Sequence, residues 1–390
     1  DGHEYEPGDV REILEFYYFF PEEGCDREFL SAPSNVLQQT VNELRCGANL
    51  QEAMAGNNPV LAHLDSPGRL LGWDQDGVET PEDLVRQWIT EIDDASVERS
   101  ITGEGPTQFT YLSEDGVDRH QLLEKFLQAA LTFAPAAAGY MSMDVPNQGL
   151  LSDNTTEQNP GDGFTTLESN WDESFGYYGA NRTFGMQQAM DIKADNGHDA
   201  DGDGYLDLVS EFAWGGSMMA AKRDVNVLEP VDLVGDGWKG FLGGRTIIAQ
   251  ASGPDGALTD AEQVALAEYA NQALDGWEAA IAASSIRHIN KALSQLISGI
   301  EGEDRYSIEA YGKAWGQAKG YALWFQFNPN SRMSLDDFEH LHALLGMAPT
   351  LPDADAESYR ADLIEARALL GDTYGFPALN MGDDLGKNGW

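Results

Sequence analysis

The sequence predicts an all-α protein in which helices pack as bundles and are joined by long loops. Apolar residues recur at helical spacing in long segments, and the strongest of these segments is residues 259–297. Strand-type alternation is scarce, and residues 245–250 are too short to carry a sheet. The chain of 390 residues is 42% hydrophobic and has nine tryptophans, so it can bury a sizeable core.

Two of the predicted helices begin with strong capping signals. Thr80 precedes a proline and two acids, the pattern of an N-cap followed by a favourable first turn. Thr259 and Glu262 have the spacing of a capping box, and Gly276 is expected to break or kink the helix that they open. Residues 235–256 are rich in glycine, and no helix is predicted there. Further helices are predicted at residues 9–20, 35–46, 118–138, 166–178, 208–224, 307–327, 334–345 and 356–374.

We divide the chain into an amino-terminal helical region, residues 1–110, and an all-α domain, residues 111–390. The amino-terminal region holds both cysteines, Cys25 and Cys46. In an exported protein we expect them to form a disulfide, which would close a loop of roughly twenty residues and contribute about 3 kcal/mol. The alternative is a pair of buried thiols in a cytosolic protein.

The larger region contains a calcium-type loop at residues 199–211. In a twelve-residue calcium loop, positions 1, 3 and 5 supply side-chain oxygens, position 6 is glycine and position 7 supplies a carbonyl. Asp199, Asp201 and Asp203 stand at the first three places, with Gly204 and Tyr205 at positions 6 and 7. The sequence therefore predicts calcium as the cofactor, although a solvated acidic turn is the alternative.

The end of this loop departs from the usual pattern. Asp207 stands at position 9, but position 12 holds Ser210 and the acid Glu211 follows one residue later. The last ligand is therefore either Glu211, shifted by one residue, or a group from elsewhere in the chain. The predicted metal ligands are Asp199, Asp201, Asp203, Tyr205, Asp207 and Glu211.

The charge balance restricts the classes of partner. Lysine and arginine number 23 against 66 acids, which gives a formal net charge of −43. Nucleic acid is excluded as a partner, because phosphates are bound by basic patches. There is no apolar run of about 18 residues, so we expect no transmembrane segment. Because the sequence starts on Asp1 without methionine, we expect a removed export signal and a periplasmic, outer-membrane-anchored or extracellular location.

A second and weaker metal site is considered at Glu168, Asp172, Glu173 and His288. Glu168 and Asp172 are four residues apart and share a helix face, whereas Glu173 points about 100° away from Asp172. An ion-pair network with Lys222 or Arg223 explains these acids better than metal binding does. A histidine in the core is the simpler interpretation of His288.

No catalytic constellation is found, so we expect the protein not to be an enzyme. The sequence lacks a Gly-x-Ser-x-Gly elbow, an HExxH motif, a P-loop lysine and a dinucleotide glycine signature. His340 and His342 are two residues apart, which is not the spacing of a zinc pair on one helix face. The acidic fragment at residues 73–77 is interpreted as a turn.

Four short segments carry a recognisable pattern: WDESFGYYG at residues 171–179, AAKRD at 220–224, AWGQAKGY at 314–321 and FQFNP at 325–329. Together they resemble an uncharacterised, imelysin-related family of bacterial surface lipoproteins. The resemblance implies an imelysin-like helical-bundle fold and an envelope location. The Gly-x-His-x-x-Glu motif of imelysins proper is absent, and Ser169 and Asn170 stand where relatives often have histidine. Neither iron binding nor peptidase activity is therefore carried over.

Taken together, these patterns predict a non-enzymatic, secreted or surface-attached protein whose calcium is mainly structural. Two alternatives stay open. One is imelysin-like capture of a transition metal or a metal-bearing ligand, which rests on the resemblance. The other is a subunit of a cell-surface assembly, with another surface protein as the partner.

Overall fold

Helix α10, residues Asp260–Ile300, is the central element of this computed structural model. Its 41 residues span about 60 Å, and helices from four other parts of the chain pack along it. The structure describes residues 6–19, 35–44, 50–57, 69–103, 109–194, 197–225, 227–352 and 355–390. Within these residues the regular elements are helices, accompanied by isolated β-bridges, and the predicted all-α fold class is confirmed.

The described residues contain twelve further α-helices. In chain order they are α1 (Asp9–Phe19), α2 (Val41–Leu44), α3 (Leu50–Ala53), α4 (Pro81–Thr102), α5 (Arg119–Gln128), α6 (Thr166–Tyr178), α7 (Ala189–Ala194), α8 (Gly215–Asp224), α9 (Leu233–Ala249), α11 (Ile308–Ala322), α12 (Leu335–Leu345) and α13 (Ala356–Tyr374). Two π-helical segments, Ala129–Phe133 and Pro135–Tyr140, continue α5, and the 3₁₀ segment Leu323–Phe327 continues α11.

The capping signals in the sequence mark true helix starts. The Thr80 hydroxyl accepts a hydrogen bond from the Asp83 amide at 3.2 Å, and the Asp83 carboxylate accepts one from the Thr80 amide at 2.9 Å. Thr259 and Glu262 form the same reciprocal pair at the start of α10. These caps satisfy amides that have no partner inside the helix, so local sequence is enough to fix both starts.

Helix α9 lies where no helix was predicted, in the glycine-rich residues 235–256. A Cβ at Gly240 would lie 2.3 Å from the backbone nitrogen of Ala273 on α10, and one at Gly244 would lie 2.1 Å from the Trp171 ring. Glycine is a poor helix former, but here it lets the α9 backbone lie against the α10 backbone and against the Trp171 ring of α6. Tertiary packing therefore outweighs the low helix propensity, and the prediction was wrong.

The expected break at Gly276 is also absent, since α10 runs through it without interruption. A Cβ at Gly276 would lie 2.5 Å from the backbone nitrogen of Gly237 on α9. The two glycines face each other, so their helices approach more closely than side chains would allow. Gly276 therefore serves close helix packing and does not act as a hinge.

Two other predicted boundaries are wrong for reasons of tertiary contact. The helix after the acidic loop begins at Gly215 and not near residue 208, because residues 208–214 form the neck of that loop. Gly197 and Phe212 form an antiparallel bridge across this neck. Residues 35–40 are not helical either, because Val36 forms a parallel bridge with Leu206 in the same loop.

The described part of the amino-terminal region shares its core with the rest of the chain. The Trp88 ring on α4 lies 5.0 Å from the Trp73 ring and 5.7 Å from the Phe126 ring, both in edge-on geometry. The Ala55 amide donates to the Ala130 carbonyl at 3.0 Å.

Among the helices that the structure describes, none is both long enough and apolar enough to span a lipid bilayer. The two cysteines of the predicted disulfide, residues 25 and 46, lie outside the described residues.

The glycine contact between α9 and α10 gives a matched pair of substitutions. Gly276→Ala is expected to destabilise the fold by about 1–3 kcal/mol, because its Cβ would overlap the backbone at Gly237. Gly176→Ala, on α6 with open space around its Cβ, is expected to stabilise the fold by about 0.5–1 kcal/mol. Urea unfolding of both variants measures the difference, and a stabilising Gly276→Ala would contradict the packing argument.

Candidate functional site

The acidic loop brings three of the predicted calcium ligands together. Carboxylate oxygens of Asp199, Asp201 and Asp203 all lie within 4.8 Å of one another, and all three side chains are exposed. Calcium sits about 2.4 Å from its oxygen ligands, so two ligands on opposite sides of the ion are about 5 Å apart. The three carboxylates are therefore close enough together to share one cation of this size.

Backbone hydrogen bonds shape the loop around these carboxylates. The Asp199 carboxylate accepts from the Gly202 amide at 2.7 Å and from the Gly204 amide at 3.0 Å. Both glycines have positive φ angles, 75° and 88°, which side chains with a Cβ rarely adopt. The glycine at position 6 predicted from the sequence is therefore needed for the turn that folds the loop back on Asp199.

The buried carboxylate of Glu211 connects the two halves of the acidic loop. Its side chain is 2% exposed, and its carboxylate accepts from the Ala200 amide at 2.9 Å and from the Asp207 amide at 3.0 Å. The Arg182 guanidinium also donates to Glu211, and it donates to Asp201 at 2.9 Å. The Asp207 amide is the largest influence on the pKa of Glu211, and with Arg182 it lowers that pKa to about 2.

Asp207 and Tyr205 lie at the side of the loop. The Asp207 carboxylate accepts from the Gln38 amide group at 2.8 Å, from the Val209 backbone at 2.9 Å and from the Ser210 hydroxyl at 2.7 Å. The Tyr205 amide donates to Asp203 at 2.8 Å, while its side chain is half-exposed. In this structure, Asp207 and Glu211 thus hold the loop in shape, beside the three converging carboxylates.

A distant segment of the chain holds the loop in place. The Leu206 amide donates to the Asn35 carbonyl at 2.7 Å, and the Leu37 amide donates to the Leu206 carbonyl at 2.9 Å. The Gln38 side chain completes the contact, since its oxygen accepts from the Leu208 amide at 2.9 Å. These contacts therefore join residues 35–38 to the loop between α7 and α8. Sequence reasoning missed this contact, as well as Arg182, because no local pattern pairs residues so far apart.

The acids of the second candidate site lie in an ion-pair cluster. Arg245 on α9 donates to Glu168 at 3.0 Å and to Asp172 at 2.9 Å, both on α6. An ion-pair network was expected here, but its cation is Arg245 and not Lys222 or Arg223. Glu173 is exposed on the same helix, and His288 lies on α10 among basic side chains. Among the described residues, these four predicted ligands do not form one group with metal-binding spacing.

The WDESFGYYG segment forms core contacts. The Trp171 indole donates to the Phe241 carbonyl at 2.9 Å, and the fully buried Tyr178 ring lies 5.2 Å from the Phe241 ring and 5.3 Å from the Trp277 ring. Gly179 ends α6 in a left-handed conformation, with φ of 80°. This signature therefore packs α6 against α9 and α10.

A buried lysine on α11, Lys319, is not among the predicted site residues. Lys319 is 1% exposed, and its ammonium group lies 5.9 Å from the Trp73 ring centre. The ion pairs of the described residues do not include it. It borders a cavity of about 1070 Å³ with the buried His342. Burial lowers the pKa of Lys319 to about 7.

Comparison with known proteins gives one match. The sequence model of a family described as a domain of unknown function, DUF4856, matches residues 89–196. This span runs from within α4 to the residues after α7, and it contains the WDESFGYYG segment. No curated protein and no solved structure matches the chain at a significant level.

The low pKa of Glu211 predicts a pH dependence of stability. Its ordinary value is 4.5 and its folded value is about 2, so the stabilisation is complete above pH 4.5 and is lost as pH falls toward 2. Glu211→Gln is expected to cost about 1–3 kcal/mol at pH 7 and to remove this part of the acid sensitivity. Glu173→Gln, an exposed neutralisation on α6, serves as the control. Unfolding free energies measured from pH 3 to 7 that differ between Glu211→Gln and wild type by a constant would contradict the prediction.

The buried amine of Lys319 predicts a trend of the same sign, a stability that rises with pH, but in neutral to alkaline solution. Between its folded pKa of about 7 and its ordinary value of 10.5, the unfolded chain binds a proton that the folded chain does not. Stability due to this group therefore rises with pH across that window. Lys319→Met is expected to raise stability by about 1–3 kcal/mol at pH 7, with a gain that shrinks toward pH 10. Urea unfolding against the exposed control Lys387→Met tests this, and a gain independent of pH would refute it.

Proposed function

We propose that this chain is a non-enzymatic calcium-binding protein of the cell envelope or exterior, in which calcium at residues 199–211 is mainly structural. The convergence of the Asp199, Asp201 and Asp203 carboxylates supports this proposal above all. Carboxylate and carbonyl oxygens are the ligands that calcium prefers. Three exposed carboxylates at this spacing repel one another, and a divalent cation removes that repulsion.

The position of the loop explains how calcium would act on the whole fold. Residues 35–38 contact the loop through Leu206, and Arg182 contacts it through Glu211. An ion bound only by the folded loop stabilises the folded state by mass action. Calcium would therefore hold the amino-terminal segment to the domain that carries α8. The net charge of −43 adds a general benefit, because bound cations reduce self-repulsion.

The proposed location rests on the composition and on the four segments that resemble imelysin-related surface lipoproteins. One of these segments lies inside the DUF4856 match. The resemblance also leaves capture of a transition metal or a metal-bearing ligand, or a place in a surface assembly, as alternative functions. No contact among the described residues favours either alternative over calcium binding.

The proposal is tested by melting the purified chain in calcium and in a chelator. At a calcium concentration about 100-fold above Kd, the folded state should gain about 2.7 kcal/mol. Asp203→Asn removes one of the three converging charges and should weaken calcium binding, measured by calorimetry, by about tenfold or more. Asp304→Asn makes the same charge change at an exposed position away from the loop and should leave calcium binding unchanged.

Two outcomes would count against calcium as the structural ion. One is an identical melting temperature in calcium and in chelator. The other is elemental analysis that finds iron, copper or zinc, and not calcium, in stoichiometric amount after exposure to all four metals. The second result would favour imelysin-like metal capture. Calcium-dependent oligomers in light scattering would favour the assembly.

A further inference from the structure

Four cationic side chains converge on one pocket between α5, α8, α10 and α11. They are Lys125 on α5, Lys222 and Arg223 on α8, and Arg287 on α10. The pocket has a volume of about 360 Å³ and is also lined by His288. Pockets for small molecules begin at about 300 Å³, so this one has room for a small ligand.

The charge of this pocket is opposite to that of the chain. Acids outnumber bases 66 to 23 in the sequence, yet Glu124 is the single carboxylate among the residues that line the pocket. Glu124 accepts a hydrogen bond from Lys125 at 2.5 Å. Four cations against one carboxylate leave a net charge of +3. In a chain with few basic residues, such a concentration on one pocket calls for a ligand of the opposite charge.

Arg223 is the most informative of these cations. Its side chain is 8% exposed, and its Nε has no hydrogen-bond partner. Among the described residues, the ion pairs do not include Arg223, Lys222 or Arg287. Burial and the nearby Arg287 lower the pKa of Arg223 to about 10. A buried guanidinium surrounded by other cations is costly unless an anion neutralises it.

His288, which also lines this pocket, adds a neutral side chain beside the cations. Burial, followed by the charges of Lys291 and Arg223, lowers the pKa of His288 well below its usual value. Its Nδ1 is buried without a hydrogen-bond partner, and its ring stacks 5.8 Å from the Tyr321 ring. These positive neighbours disfavour a metal cation at His288. A neutral imidazole beside cations is suited to hydrogen-bonding an oxyanion.

Two of the segments quoted from the sequence meet at this pocket. Lys222 and Arg223 belong to the AAKRD segment on α8, and Gln317 and Tyr321 belong to the AWGQAKGY segment on α11. The Lys125 ammonium group lies 5.6 Å from the Tyr321 ring centre, so α5 contacts α11 at this pocket. The pocket therefore assembles from helices that are remote in sequence.

We propose that this pocket binds a phosphate-type oxyanion, either free or as the phosphoryl group of a small molecule, with Arg223 as its main anchor. A guanidinium fork matches two oxygens of a tetrahedral oxyanion, and lysines add charge without demanding one geometry. The net charge of +3 suits a multiply charged anion better than a single carboxylate. The pocket and the acidic loop share no residue, so this site is independent of the proposed calcium site.

The full chain is titrated with inorganic phosphate by calorimetry, in a chelator-containing buffer so that calcium plays no part. Wild type should bind one phosphate, and binding should weaken as sodium chloride screens the pocket. Arg223→Gln should weaken phosphate binding about tenfold to a hundredfold, because it removes a charge-assisted hydrogen bond. Lys222→Gln, at an exposed position that does not threaten folding, should weaken it by a smaller factor.

Arg305→Gln is the matched control, because it removes an exposed arginine outside the pocket and should leave phosphate binding unchanged. A second measurement guards against misfolding of Arg223→Gln. Phosphate should raise the melting temperature of wild type and Arg305→Gln, but not that of Arg223→Gln. Folded wild type that neither binds phosphate nor gains stability from it would overturn the proposal, as would equal binding by wild type and Arg223→Gln.

The source of the phosphate group is decided by a comparison of ligands. A small phosphate monoester that binds more tightly than inorganic phosphate would identify the phosphoryl group of a small molecule. Equal or weaker binding of the monoester would identify free phosphate. Chloride at the same ionic strength should give no saturable binding, and saturable chloride binding equal to that of phosphate would overturn the assignment of an oxyanion.

Discussion

The close approach of α9 and α10 is the contact on which much of the rest depends. Gly237, Gly240 and Gly276 allow the two backbones to touch. With α9 held there, Arg245 reaches the acids of α6, and the Phe241 carbonyl accepts the Trp171 indole. The signature segment of α6 thus packs onto a surface that exists because glycine takes the place of larger side chains.

The molecule has two charged sites of opposite sign. The exposed loop at residues 199–211 collects carboxylates, in keeping with the acidic chain. The pocket beside Arg223 collects cations, against the balance of the chain. Each arrangement keeps like charges close together, which is unfavourable unless an ion of the opposite sign is bound. A protein with a calcium ion on one face and an oxyanion between its helices would neutralise both.

Local patterns predicted much of the fold. The start of α4 follows from its N-cap threonine and proline, the start of α10 follows from its capping box, and Gly204 fits the spacing of the acids in the acidic loop. The π-helical continuation of α5 was predicted as ordinary helix, because segments of 5 and 6 residues are too short for apolar spacing to distinguish a π-helix from an α-helix. Helix α9 was missed because its glycines are unfavourable for an isolated helix and favourable for this packing.

The sequence by itself determined the all-α class, the starts of α4 and α10 and the three carboxylates of the acidic loop, because each depends on residues close together in the chain. The tertiary structure alone decided that residues 35–38 hold this loop, that Glu211 braces it with Arg182, and that Arg245 pairs with α6. It also decided that basic residues of three helices share one pocket. These contacts join residues far apart in the chain, and periodicity and spacing carry no information about which helix faces meet.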